Sequence, residues 1–166
     1  GCASQITARP HNFNAQCAGA AIQLFDPHEG PQRLRLQQDA FGDPFRQRLR
    51  AMLPQITAEL GCAALAQTIE VQLTAHNDGH YYKVHNDNGS PDTATRELTF
   101  VYYFHRQPRA FGGGTLRVFD TVVRDGYYVA ADSDRLVEPA DNRIVFFLSR
   151  YQHEVLPIRC PSRRFE

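Results

Sequence analysis

Apolar and polar positions along this chain change their period near residue 66. Before it, Phe45, Leu49, Met52, Leu53, Ile56 and Leu60 recur at helical spacing and form one stripe of an amphipathic helix. Asp43 and Pro44 open that helix, because Asp caps free amides and Pro fits the first turn. Gly61 is placed to end it, and Pro54, inside the pattern, is expected to kink or split it. Residues 1–35 are rich in Ala, Gln, Asn and Pro, and their short apolar run at 20–25 predicts an edge strand.

Beyond residue 66 the pattern alternates. Residues 68–74 place Ile69, Val71 and Leu73 on one face of a strand. Asn77-Asp78-Gly79 signals a turn, residues 80–84 a second strand, and 88–95 a polar loop. Residues 97–105 are aromatic and β-branched with little polar relief, which predicts a strand buried on both faces. Further strands are predicted at 115–119, 127–130, 136–137, 143–148 and 153–156, and Gly112-Gly113-Gly114 reads as a turn. Short strands at this density after one leading helix predict a mainly β fold, an antiparallel sandwich or jelly roll.

Length and composition narrow the classes. A chain of 166 residues with 42% apolar and 22% charged residues fits a single domain with its own core. A helical or irregular part, about 1–65, precedes a β core at about 66–166. With 18 basic and 18 acidic residues, no nucleic-acid footprint is expected, and no apolar run is long enough for a membrane helix. Cys2, Cys17, Cys62 and Cys160 are widely spaced without a Cys-x-x-Cys, so they read as free thiols of a reducing, cytoplasmic compartment. Nothing in the sequence sets an oligomeric state.

The chemistry concentrates at His85 and Asp87, with His153 66 positions beyond Asp87. Two imidazoles and a carboxylate can occupy one face of a ferrous ion and leave positions open for a chelating cosubstrate and dioxygen. In an extended strand, residues two apart point the same way, so His85 and Asp87 would project together. The lack of nearby Cys argues against a structural zinc site. Spacing alone leaves the set open: His-x-Asp is a common pair, and His76, His80 and His105 compete as further imidazoles. Their contexts suit loops or strand surfaces better than ligation.

Four blocks in order carry a resemblance. They are Gly79-His80-Tyr81-Tyr82-Lys83-Val84-His85-Asn86-Asp87, Arg96-Glu97-Leu98-Thr99-Phe100-Val101-Tyr102-Tyr103-Phe104, Phe111-Gly112-Gly113-Gly114-Thr115-Leu116-Arg117-Val118, and Asn142-Arg143-Ile144-Val145-Phe146-Phe147 running into His153-Glu154-Val155. The stretch from Ile69 to Val155 resembles the Fe(II)- and 2-oxoglutarate-dependent oxygenases, in their prolyl 4-hydroxylase-like branch. The resemblance implies a double-stranded β-helix, a jelly roll with iron at its mouth, and assigns His85, Asp87 and His153 as metal ligands and catalytic residues. It implies Fe(II), 2-oxoglutarate and dioxygen as cofactor and cosubstrates, with ascorbate as an optional reductant.

The resemblance also implies groups that hold the far carboxylate of 2-oxoglutarate. Tyr103 stands where such enzymes often place a tyrosine, and His76 stands where they have another. A guanidinium suits the carboxylate through two hydrogen bonds. Arg163 and Arg164 follow His153 at the implied spacing. Cys160-Pro161-Ser162 before them is loop chemistry, so a solvated basic turn is the competing reading, with the anchor on a strand beyond Glu166. The implied reaction is hydroxylation of an unactivated C–H bond, with a prolyl or other protein residue as the leading substrate. A small-molecule hydroxylase of the same chemistry and a non-catalytic metal-binding jelly-roll module are the alternatives. Residues 88–96 and 119–134 would border the mouth.

Overall fold

A computed structural model describes residues 4–7, 20–22, 33–35, 42–62, 68–76 and 78–160. Strands β1 (Ser4–Thr7), β2 (Ala20–Ile22) and β3 (Arg33–Arg35) precede helix α1 (Gly42–Leu60). Then come β4 (Gln72–Ala75), β5 (Tyr82–His85), β6 (Leu98–Phe104), β7 (Gly112–Gly113), β8 (Leu116–Arg124), β9 (Tyr127–Val137), β10 (Arg143–Leu148), β11 (His153–Val155) and β12 (Ile158–Arg159). One sheet runs β1-β10-β6-β2-β4-β3, a second runs β5-β11-β8-β9, and β12 pairs with β7. The fold is a mainly β jelly roll with one flanking helix.

Alternation along β6 explains how the layers stack. Val101 and Tyr103 join Val145 and Phe147 of β10 against Leu116, Val118, Val137 and Val155 of the second sheet. Phe100 and Tyr102, on the opposite face, join Ile144 and Phe146 of β10 against Leu49 and Ile56 of α1. β6 is therefore buried on both sides, as its apolar run predicts. Each fully buried Phe or Ile here contributes about 1.5–3 kcal/mol relative to exposure.

Several expectations change. β2 is an interior strand between β6 and β4, where an edge strand was expected. The sheet therefore does not begin near residue 66: three strands from residues 1–35 pair into it. Those pairs are made by backbone groups, which carry no apolar period for a sequence to display. α1 runs through Pro54 as one helix. Gly61 ends it in the left-handed region at φ 63°. Gly112 and Gly113 form a strand instead of a turn. Residues 127–137 form one strand, joined to β8 by Asp125 and Gly126 at φ 51° and 82°, a pairing of left-handed residues that suits a tight hairpin. No helix among the described residues is long and apolar enough to cross a membrane. Cys62 and Cys160 are free thiols; Cys2 and Cys17 lie outside the described residues.

Candidate metal centre

β11 lies between β5 and β8, and His153 pairs directly with His85 across the β5–β11 ladder. That register brings two histidines far apart in sequence onto one face. Their rings are 4.3 Å apart, and the edge of Phe147 meets His153 at 4.7 Å. Asp87 completes the set: its Oδ1 lies 3.7 Å from Nε2 of His85 and 3.7 Å from Nε2 of His153. One ligand atom from each of the three residues lies within 4.8 Å of the others. Two donors each about 2.1 Å from one ion can be at most about 4.2 Å apart, so both histidine–aspartate separations suit a shared ion.

Asp87 reaches this point by a route different from strand alternation. β5 stops at His85, and Asp87 stands in a bend beyond it. Its amide donates to the Ser149 carbonyl at 2.8 Å. Its Oδ2 accepts a 2.5 Å hydrogen bond from the Thr99 hydroxyl. Oδ1 is buried and accepts no hydrogen bond among the described residues.

The tautomers follow from the backbone. Nδ1 of His85 lies 2.7 Å from the Lys83 carbonyl, and Nδ1 of His153 lies 3.1 Å from the Tyr151 carbonyl. A carbonyl can only accept, so each Nδ1 carries the hydrogen and each Nε2 presents its lone pair. Burial, with the neighbouring His85 second, pushes His153 down to about 3, so it is neutral at ordinary pH. Burial also lifts the Asp87 carboxyl up to about 8, against the opposing effects of the Thr99 hydrogen bond and Arg96. A buried carboxylate held among two imidazole lone pairs is costly without a cation. The donor set therefore fits a divalent metal of intermediate hardness such as Fe(II).

The other proposed residues distribute unevenly. Tyr103 lies on the interior face of β6, its hydroxyl buried and without a hydrogen bond among the described residues. Burial raises that phenol well above its usual range. His76 is buried, where a loop or surface position was expected, and burial with the nearby His80 lowers it to about 4. His105 packs edge-on against Phe111 at 5.2 Å, and neither it nor His80 is in the triad. Arg163 and Arg164 lie outside the described residues. Sequence reasoning missed Thr99 and Ser149. Thr99 could have been singled out as the polar residue sharing the interior face with Val101 and Tyr103; Ser149 carried no such signal.

A jelly roll with a two-histidine, one-carboxylate set at adjoining strand ends defines the class: a non-haem iron oxygenase type of site. The family model described as the 2OG-Fe(II) oxygenase superfamily matches residues 71–165, more than half of the chain, and the chain belongs to that family. It is 45% identical over 121 residues to an uncharacterised PKHD-type hydroxylase of Synechocystis sp. (strain ATCC 27184 / PCC 6803 / Kazusa), covering 72% of this chain. The chain spans 40% of that relative's length. Among solved structures, a Pseudomonas putida prolyl-4-hydroxylase is 27% identical with a TM-score of 0.49, over 76% of this chain and 62% of that one.

Proposed function

We propose that this chain carries the catalytic core of a 2-oxoglutarate-dependent hydroxylase, with His85, Asp87 and His153 as its iron ligands. The observation that carries the reading is the convergence of Nε2 of His85, Nε2 of His153 and Oδ1 of Asp87, with both imidazoles oriented by backbone carbonyls. When bound, Fe(II) with 2-oxoglutarate and dioxygen supplies the oxidising chemistry for C–H hydroxylation. The protein's own part is to hold the ligands, orient the chelate and keep the interior dry.

Tyr103 is the side chain best placed to donate to the far carboxylate of 2-oxoglutarate, because its hydroxyl is buried and has no hydrogen bond among the described residues. Its raised pKa keeps it a donor at ordinary pH. Arg163 and Arg164 lie within the stretch that the family model matches, and they stay as candidates for a carboxylate-binding cation beside the reading of a solvated basic turn.

The substrate we favour is a protein residue, with proline leading, in a reducing cytoplasm. The β8–β9 hairpin supports a peptidyl substrate. Its exposed Val123, Tyr127 and Tyr128 offer an apolar ledge. Gln152, next to His153, fastens that hairpin to the site: its amide donates to Thr121 Oγ1 at 3.0 Å and its Nε2 to the Tyr128 carbonyl at 2.9 Å.

Anaerobic titration with Fe(II) and 2-oxoglutarate tests the reading. The expected result is a visible charge-transfer band that His153→Ala abolishes. Absence of the band in the unmodified protein would sink the cosubstrate assignment. Arg163→Ala and Arg164→Ala, tested singly, should identify the anchoring cation by a large loss of 2-oxoglutarate affinity.

A further inference from the structure

Asp87 is held at two points by residues outside the triad, and a third contact joins those two residues to each other. Its amide is fixed by the Ser149 carbonyl. Its Oδ2 accepts a hydrogen bond from the Thr99 hydroxyl at 2.5 Å, and the Ser149 hydroxyl lies 3.0 Å from Thr99 Oγ1. Thr99 has one proton and gives it to the carboxylate, so at the second contact Ser149 donates and Thr99 accepts. Thr99 and Ser149 are 1% and 0% exposed, so water does not compete for these bonds.

We infer that Thr99 and Ser149 form a hydroxyl relay that restricts Asp87 to binding metal through Oδ1 alone. The inference rests on the metal reading above and deepens it. A carboxylate free to rotate can offer both oxygens and fill an extra coordination position. A strong charge-assisted hydrogen bond on Oδ2 prevents that. It also turns Oδ1 toward the two Nε2 atoms, each 3.7 Å away. The position saved is one that a two-toothed cosubstrate and dioxygen require.

The relay has a clear physical division. Thr99 is the second residue of β6, with its backbone in register against Phe147 of β10. Its hydroxyl is therefore left for the carboxylate. Ser149, immediately after β10, supplies a carbonyl for the Asp87 amide and a hydroxyl for Thr99. A one-residue shift of β10 against β6 would remove both Ser149 contacts together.

Mn(II) is the probe, followed by calorimetry and by electron paramagnetic resonance in oxygen-17 water. Partners of this kind typically carry tenfold to hundredfold in metal affinity. Thr99→Val should therefore weaken Mn(II) binding by about 10- to 100-fold. In the Mn(II) that remains bound it should show one fewer coordinated water than the parent, because the released Oδ2 takes that position. Thr99→Ser should restore both readouts. Ser149→Ala should weaken binding less than Thr99→Val does and keeps the test available if Thr99→Val folds poorly. Unchanged affinity and water count in Thr99→Val, unchanged affinity in Ser149→Ala, or failure of Thr99→Ser to rescue would each overturn the relay. If the unmodified protein takes up no Mn(II) or Fe(II), the metal reading itself fails.

Discussion

Replacing Asp87 with Asn should make the metal-free protein more stable while removing its ability to hold metal. The Asp87 carboxyl rises from an ordinary 3.8 to about 8 in the folded protein, chiefly because it is buried. A raised carboxyl pKa means that the group's stabilising share is fully present below about 3.8. It is lost as pH climbs through about 8. At about 1.36 kcal/mol per pKa unit, keeping Asp87 protonated on folding costs about 4 kcal/mol at pH 7 and less than about 1 kcal/mol at pH 4. Asn carries no such cost. Its carbonyl can keep the Thr99 bond, and its amide would face the two Nε2 lone pairs that lie 3.7 Å from Oδ1. At about 2–4 °C per kcal/mol for a chain of this length, Asp87→Asn should melt on the order of 10 °C higher in chelator at pH 7. The assay is thermal denaturation by circular dichroism across pH 4–8, with chelator and again with excess Mn(II). The gap should shrink towards pH 4, and only the parent should gain from Mn(II). A variant no more stable than the parent at pH 7 in chelator, or a gap independent of pH, would refute the argument.

Tyr103→Phe should lower 2-oxoglutarate affinity by about tenfold without destabilising the metal-free protein, since the phenol makes no hydrogen bond among the described residues; calorimetry and melting check both. Ile56→Ala, at a fully buried helix position against β6 and β10, should cost about 2–5 kcal/mol in urea unfolding. Mn(II) affinity of its folded fraction should stay unchanged. Gly113→Ala should destabilise by more than about 1 kcal/mol, because φ is 66° and an added Cβ would collide with the Pro157 carbonyl oxygen; loss of protection at the Ile158 amide in hydrogen exchange would locate the damage.

What the sequence disclosed divides along physical lines. Residues 143–148 and 97–105 were legible as strands because burial on both faces leaves an unbroken apolar run. α1 was legible from its stripe, although Pro54 did not break it. β1 and β3 were obscure because each is only three or four residues long and joins the sheet through backbone pairing, while β2 was legible as a strand but not as an interior one. The β8–β9 hairpin had its turn signal in Asp125-Gly126, yet polar Asp132, Ser133 and Asp134 masked the continuity of β9. His85, Asp87 and His153 could be nominated from motif order. The reason Asp87 faces the histidines could not: it depends on Thr99 and Ser149, 12 and 62 positions away, and no local pattern links them.

The direct pairing of His85 with His153 also makes the centre a gauge of correct assembly. Neighbouring residues on a strand face opposite ways, so a one-position slip between β5 and β11 would turn one imidazole outward. Metal uptake would then fail even if both sheets had otherwise formed. Iron capture thus rewards one alignment of these strands above its near neighbours. A chain that has loaded its metal has in the same act had its strand register proofread.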